Sequence, residues 1–562
     1  MTERTGPGAW RSRYAHPCDW DQDFAPLAMT ELLAASVSSY GERPLADFYG
    51  RIYSYADIMA EARAFAAGLQ ANGFGKGDRI GLLLPNVPIY LSAYFGTMLA
   101  GGTVVNFSPL YTAEELEAQA VDSGARLLVT LDVPALLPTA LAVLDDSPVD
   151  HLVVGRLAKL LPFWQGLGLR LFKRSELTPV PSRTGVVEWG DFLRDGDPDP
   201  VAIDPLEDLA MLQYTGGTTG TPKGAMLTHQ NLSANARQIE AIDPHKLERD
   251  VIVGVLPFFH VFANATVINR TVLNGGCIAM LPRFRADQCL QTLERVKATS
   301  MPGVPTMYQA LLDHPDIATT DFSSLQICIS GGAPLPLPAK QRFEAATGAR
   351  LVEGYGLTET SGVVSTNPFD GDDRTGTIGH PFPGTDLRLL DKEDATRDAP
   401  AGEPGELAIR GPQVMRGYWN RPDAAANAFA EISGERWLRT GDVATIDEEG
   451  YVRIVDRMKD MIAVGGFKVF PSQVEAVLVE HPAVKEALVI GVADEYRGES
   501  PRAFVTLQPD VTAGEEELRD WLNERMGKHE RVDQVVIRDS LPKTMIGKLD
   551  RKALRAEVAD AV

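Results

Sequence analysis

From Ile80 to Ala113 the chain carries no charged residue over 34 positions. A stretch of that kind either crosses a membrane, which takes about 20 predominantly apolar residues, or is buried on every side inside a folded core. Pro85, Asn86 and Pro88 interrupt it early, and Gly101-Gly102 interrupt it again. The breakers cut it into a strand (RIGLLLPN), a helix of about fourteen residues (VPIYLSAYFGTMLA), a turn and a second strand (TVVNFSP). Two strands joined through a helix run parallel, and a parallel sheet is covered by helices on both faces. The stretch therefore predicts a βαβ unit.

The same strand–turn–helix texture recurs over the first 390 or so residues, as in ARLLVTLD and in SLQICISGGAPLP followed by PAKQRFEAATG. From about 385 to 456 it gives way to short alternating runs with turn signals (DLRLLD, GELAIRG, GDVATIDEEGYVRIVD), which suit a small β-subdomain. A boundary at Asp456-Arg457 sets off an α+β module. In that module PSQVEAVLVEHP reads as a helix opened by Pro471 and a Ser472/Glu475 capping box. VKEALVIGV, RAFVTLQP and DQVVIRD read as strands, and EEELRDWLNERM as a helix. The expected fold class is α/β. Residues 1–456 form a large multi-lobed N-terminal domain, with two βαβ-type sheets packed with helices and a barrel-like β-subdomain. Residues 457–562 form a small mobile α+β domain.

The net charge of −22 argues against a nucleic-acid partner, because phosphate binding needs a surplus of Lys and Arg. Residues 457–562 carry 16 basic and 19 acidic side chains, a net of −3, so the rest carries −19. Four cysteines (Cys18, Cys277, Cys289, Cys328) without CxxC spacing fit buried thiols in a reduced, cytoplasmic setting. Met1 to Trp20 holds no apolar core of a secretory signal.

The densest chemical signal is YTGGTTGTPKG, Tyr214 to Gly224. Gly216, Gly217 and Gly220 let backbone N–H groups approach an anion, Thr215, Thr218, Thr219 and Thr221 add hydroxyl donors, and Lys223 adds charge. A polyphosphate loop needs those groups. The P-loop pattern of Gly-Lys-Ser/Thr is not met, since Pro222 precedes Lys223 and Gly224 follows it. In GYGLTET (Gly354–Thr360), Glu359 offers a hard carboxylate oxygen suited to Mg²⁺ on a triphosphate, beside the hydroxyl of Thr358. Tyr355 offers a ring for stacking or for the core.

Five segments, YTGGTTGTPKG, GYGLTET, Thr440-Gly441-Asp442, RMKDMIAVGGFKVFPSQVE and PKTMIGKLDR, follow one another in an order that resembles the adenylate-forming superfamily. That superfamily comprises acyl-CoA synthetases, peptide-synthetase adenylation domains and luciferase, and the resemblance covers residue 25 to the end. It implies ATP contacts from Thr215–Gly220, Lys223, Gly331, Gly332, Ala333, Gly354, Tyr355, Gly356, Leu357 and Thr358. It implies Mg²⁺ at Glu359, ribose contacts from Asp442, read as lying in a tight Thr-Gly-Asp turn, and from Arg457, a hinge at Lys459, and Lys548 as catalytic lysine. Gly465, Gly466, Phe467 and Lys468 resemble the loop that meets coenzyme A, while their spacing alone equally describes a hairpin turn. Many relatives have Ser where Ile546 stands.

LPFFHVFANATVINRTVLNGGCIAML (Leu256–Leu281) resembles the segment lining the acyl pocket, with His260 either near the substrate carboxylate or a core residue. Its aliphatic character suits an alkyl chain. No charged group for an amino-acid ammonium is evident. Between Asp150 and Glu176 there are five basic residues (Arg156, Lys159, Arg170, Lys173, Arg174), no acidic ones, and interleaved Leu, Phe and Trp. Residues 152–174 are thus either a partly buried insertion or a contact with an anionic membrane on the inner face. The resemblance implies an ATP-dependent medium- or long-chain fatty acid–CoA ligase that forms acyl-AMP, with fatty acid, ATP and CoA as substrates. The alternatives are an aryl-CoA ligase of the coumarate type and an acyl-AMP-forming or carrier-loading enzyme. A homodimer is compatible with the sequence, which does not fix the oligomeric state.

Overall fold

The computed structural model describes residues 11, 13–215, 222–245, 250–372, 374–465, 467–494, 496–509, 511–544 and 548–560. The chain divides into two compact units. One comprises Tyr14–Asp386 and Arg410–Ala428; the other comprises Met1–Arg13, Leu387–Ile409 and Phe429–Val562.

The first unit holds two sheets. In one, Arg79–Leu82 runs parallel to Thr103–Asn106 and to Leu127–Leu131, and His151–Gly155 and Val186–Glu188 continue the sheet. Pro88–Leu99 is the helix between the first two strands, with Pro at its start and every residue from Pro88 to Met98 buried. The uncharged stretch is thus a buried βαβ unit. No helix among the described residues is long and apolar enough to cross a membrane. Leu209–Thr215 extends this sheet, followed antiparallel by Lys223–Thr228 and Gly417–Tyr418.

The other sheet has nine strands among the described residues. Its parallel centre runs Pro44–Phe48, Cys277–Met280, Val251–Gly254, Ser300–Gly303, Ile327–Gly331 and Arg350–Tyr355. Gly331 and Gly354 are register partners at the C-terminal ends of neighbouring strands, where open α/β sheets bind ligands.

In the second unit Gly405–Arg410, Glu435–Ile446, Phe429–Ile432 and Val452–Arg457 form an antiparallel sheet with Asp386–Leu390. A further sheet contains Ile462–Val464, Phe467–Val469, Val484–Asp494, Gly498–Leu507 and Gln534–Ile537. The helices Pro471–Val479 and Glu515–Asn523 cover it through Val474, Leu478, Leu518 and Leu522. The Ser472/Glu475 capping box does not form. The Ser472 N–H donates to Asp456 (2.8 Å), and Glu475 accepts from the Val489 N–H (2.7 Å) and from Arg551 (2.6 Å). Tertiary partners with full charge outcompete the local cap. Cys277, Cys289 and Cys328 are buried free thiols, and Cys18 is half-buried.

Candidate active site

Thr215 ends one strand of the first unit and Lys223 begins its antiparallel partner; the two are register partners, with the Thr215 hydroxyl donating to the Lys223 carbonyl at 3.4 Å. Gly216, Gly217, Thr218, Thr219 and Gly220, expected to contact phosphate, lie outside the described residues. The Lys223 ammonium stands 5.3 Å from the centre of the Tyr418 ring, and the Tyr418 hydroxyl donates to Glu359 Oε1 at 2.6 Å. Burial, together with the Glu359 charge, raises the Tyr418 pKa and keeps that proton in place. Tyr418 thus stands between Lys223 and Glu359.

Glu359 sits in a short 3₁₀ turn, Thr358–Thr360, closed by the Leu357 N–H donating to the Thr360 hydroxyl (3.0 Å). Gly356 is required by close approach, because a Cβ there would stand 1.8 Å from the Gly362 carbonyl oxygen. Tyr355 ends the strand that begins at Arg350, and Gly331, Gly332 and Ala333 leave the neighbouring strand beside it. Among the described residues no cluster of three or more His, Cys, Asp or Glu is poised to hold a metal. Mg²⁺ is commonly held by one or two carboxylates plus substrate phosphates. The lone Glu359 carboxylate fits an ion that arrives with a triphosphate.

His260 is half-buried and caps a helix, its Nδ1 accepting the Phe262 N–H at 3.2 Å. In the neutral ring the proton then lies on Nε2, which becomes a donor. The loop before it is held from the other sheet. Asn86 accepts the Phe258 N–H (2.8 Å) and donates to the Gly254 and Leu256 carbonyls (3.0 and 2.8 Å). Tyr90 donates to the Phe258 carbonyl (2.9 Å), and Gln213 donates to the Phe259 carbonyl (3.0 Å).

In the second unit Asp442 is buried on the strand Glu435–Ile446 and pairs with Arg457 at 3.0 Å, its register partner on the next strand. Thr440-Gly441-Asp442 is not a tight turn. It is an irregularity within that strand, with Gly441 at φ 71° and its N–H donating to Glu406 (3.1 Å). Lys548 is half-buried, and its pKa is lowered to about 8 by burial and by the like charge of Arg457, against the opposing pull of Asp442. Asp442, Arg457 and Lys548 therefore share one electrostatic environment. The Thr544 N–H donates to the Lys548 carbonyl (2.6 Å) and the Lys548 N–H to the Thr544 hydroxyl (3.2 Å). Ile546 and Gly547 lie outside the described residues. Lys459 and Lys468 are exposed. Val464 pairs with Phe467 across Gly465, so this segment is a hairpin turn; Gly466 lies outside the described residues.

No motif marks Tyr418 or Asn86 as part of the site. Tyr418 is 59 positions from Glu359 and carries no motif of its own.

In the first unit the paired glycines Gly331 and Gly354 and the Thr215/Lys223 register pair, and separately in the second unit the Asp442–Arg457 pair beside Lys548, each suit an adenylate-forming enzyme. The AMP-binding enzyme family model matches residues 33–419, and the AMP-binding enzyme C-terminal domain matches 473–548. The chain belongs to that family. It is 38% identical over 553 residues to a long-chain-fatty-acid–CoA ligase of Bacillus subtilis (strain 168), with 98% of both chains covered. It is 38% identical over 564 residues to the enzyme of the same name from Escherichia coli O6:H1, covering 98% of this chain and 99% of that one. A 4-coumarate–CoA ligase of Arabidopsis thaliana is more distant, at 29% over 552 residues, covering 95% of this chain and 93% of that one. Among solved structures, ATP-bound MatB from Rhodopseudomonas palustris superposes with a TM-score of 0.83 at 28% identity, covering 95% of this chain and 100% of that one.

Proposed function

We propose that this chain is an ATP-dependent fatty acid–CoA ligase that works through an acyl-adenylate. The observation that carries the proposal is the end-to-end likeness to long-chain-fatty-acid–CoA ligases at 38% identity. In the first half-reaction a carboxylate oxygen of the acid attacks the α-phosphorus of ATP and pyrophosphate leaves. In the second, the sulfur of coenzyme A attacks the acyl carbonyl and AMP leaves. A carboxylic acid is already ionised at neutral pH, so the first step needs alignment and charge neutralisation rather than a base. Lys548 supplies positive charge to the developing phosphate oxyanions. Asp442 accepts from the ribose hydroxyls and is itself held by Arg457 at 3.0 Å. His260, with its proton on Nε2, donates to the acid's carboxylate. Glu359 would hold Mg²⁺, which would supply positive charge to the phosphates, and Tyr418 orients that carboxylate.

Residues 457–562 act as a mobile module that turns about Lys459 between the half-reactions and exchanges Lys548 for the Gly465–Lys468 hairpin. Residues 152–174 make peripheral contact with an anionic membrane. The segment forms two helices, Leu157–Leu160 and Phe163–Phe172, broken at Pro162. Its inner side is buried at Leu160, Gly166 and Leu169, while Phe163, Trp164 and Phe172 are 73%, 78% and 86% exposed. Arg156 is committed to Glu188 (2.6 Å), whereas Lys159, Arg170, Lys173 and Arg174 are exposed beside the aromatic rings. Membrane-surface helices combine apolar and cationic side chains in this way. Replacing Phe163, Trp164 and Phe172 by Ser removes sedimentation with phosphatidylglycerol vesicles if this assignment is correct; unchanged sedimentation excludes it.

The ligase reading is tested by AMP release against an acid panel, with aryl acids in the same series. Turnover of aryl acids in preference to fatty acids would replace it with the coumarate-type alternative.

A further inference from the structure

A carboxylate near the C-terminal end of a helix is disfavoured, because the aligned peptide dipoles leave partial negative charge there. The helix Ala113–Ser123 obeys that rule at its start, where Glu114 and Glu115 stand in the first turn. It breaks the rule at its end, where Asp122 is the second-last residue and the last turn holds no basic side chain. The helix is otherwise well fixed. Thr112 and Glu115 form a capping box, Leu116 and Ala120 are buried, and Gln119 donates to the Asn106 carbonyl at 2.8 Å. Asp122 is thus carried on a rigid support, and partners outside the helix offset its unfavourable position.

Those partners come from the strands on either side of Lys223–Thr228. Asp122 Oδ2 accepts from the Tyr214 hydroxyl at 2.7 Å, and Oδ1 accepts from Arg421 at 2.7 Å. The last carbonyls of a helix have no partner within it. That of Asp122 accepts from Trp419 Nε1 at 3.0 Å and from Asn420 at 3.3 Å. Tyr214 adjoins Thr215 and is the register partner of Gly224, which adjoins Lys223. Trp419 follows Tyr418, and its N–H donates to the Gly224 carbonyl at 2.8 Å. A Cβ on Gly224 would lie 3.2 Å from the Tyr214 ring and 3.5 Å from the Trp419 Cβ, so the two side chains close over this glycine. Asn420 is left-handed (φ 51°), and the Arg421 N–H returns to the Tyr418 carbonyl at 3.4 Å, a turn that brings the guanidinium back to Asp122. Burial, and after it the Asp122 carboxylate, raises the Tyr214 pKa and keeps that hydroxyl a donor.

We propose that Asp122 is a positioning residue for adenylation, clamping the strands on both sides of Lys223–Thr228 and so fixing Tyr418 against Lys223 and Glu359. This rests on the ligase reading and adds to it a residue that stands in none of the five motifs. Asp122 acts through Tyr418, whose hydroxyl holds Glu359 Oε1 at 2.6 Å and whose ring centre lies 5.3 Å from the Lys223 ammonium. Without the clamp the turn that carries Tyr418 shifts, and a displacement of about 1 Å at the reacting groups costs on the order of 10²-fold in rate.

The test compares two half-reactions of the full-length enzyme, acid-dependent pyrophosphate–ATP exchange and thioester formation from supplied acyl-AMP. Asp122→Asn keeps the shape of the side chain but leaves one acceptor oxygen for two donors. It is expected to lower exchange at least about fivefold more than thioester formation. A smaller difference overturns the proposal, since a residue that only supports the fold lowers both alike. Added to Tyr418→Phe, the same substitution lowers exchange less than about threefold further, because residues acting as one unit are not additive. A larger further loss overturns the route through Tyr418. Calorimetric binding of ATP with Mg²⁺, measured without acid and so without turnover, is expected to weaken in Asp122→Asn; unchanged binding overturns the proposal. If Asp122→Asn does not fold, Arg421→Met removes the partner of one oxygen from a side chain that is 37% exposed, and the same comparisons decide. Each of these failures leaves the ligase reading standing. Absence of acid-dependent exchange in the unmodified enzyme overturns that reading itself.

Discussion

The lysine beside the Asp442–Arg457 pair makes a sharp prediction about pH. Burial and Arg457 bring the Lys548 pKa down from 10.5 to about 8, with Asp442 opposing. At that value roughly nine in ten molecules carry the ammonium at pH 7, about half at pH 8 and about one in ten at pH 9. Adenylation depends on the charged form, so its rate is present below pH 8 and lost as pH rises through that value. The assay is acid-dependent pyrophosphate–ATP exchange, which reads the first half-reaction alone. Its kcat/KM for ATP reports the free enzyme and is expected to fall about tenfold per pH unit above about 8. The kcat limb breaks at higher pH, because bound phosphates favour the ammonium. Lys548→Ala removes one transition-state charge contact and lowers exchange by on the order of 10²–10³, while thioester formation from supplied acyl-AMP is largely retained. Lys548→Arg, charged at all working pH values, moves the alkaline limb out of range. A break that stays near pH 8 in the arginine variant, or equal loss of both half-reactions in the alanine variant, would refute the role.

Other consequences follow from the site and its supports. Tyr418→Phe deletes the 2.6 Å bond to Glu359 and costs about 1.5–3 kcal/mol, read as a tenfold or greater rise in the Mg²⁺ concentration needed for half-maximal exchange. Arg551→Met leaves Glu475 without its 2.6 Å partner, while Asp460 keeps Arg555 at 3.2 Å. Stranding buried charge of this kind destabilises by about 3–5 kcal/mol, measured by denaturant unfolding followed through Trp521. Gly356→Ala drives a methyl group into the Gly362 carbonyl; it is expected to reduce soluble yield and ATP binding together, and normal behaviour in both would show that the loop relaxes freely.

Local chemistry explains what the sequence revealed and where it misled. The βαβ unit at Arg79–Asn106 was legible because Pro85, Pro88 and Gly101-Gly102 punctuate an uncharged run at strand and helix lengths. Hairpins and strands of the C-terminal module follow from alternation and turn residues. The Ser472/Glu475 cap failed because its groups are drawn to Asp456, Val489 and Arg551, partners that only the fold brings near. Thr440-Gly441-Asp442 looked like a turn because Gly and Asp favour turns, yet the long strand absorbs them as an irregularity braced by Glu406. Of the residues proposed to do the chemistry, Lys223, Glu359, Asp442 and Lys548 stood in motifs. Tyr418 and Asn86 act through distant partners, and one sequence carries no sign of such pairings.

The central claim is acid activation through an adenylate followed by transfer to coenzyme A. Its most direct measurement is AMP release with decanoate and ATP, with and without coenzyme A. The expected result is acid-dependent AMP release that is sustained with coenzyme A and matched mole for mole by thioester, and that is lost without it, where the nucleotide stays in acyl-AMP and only pyrophosphate is released. AMP release that ignores the acid, or that continues undiminished without coenzyme A and yields no thioester, would contradict the account.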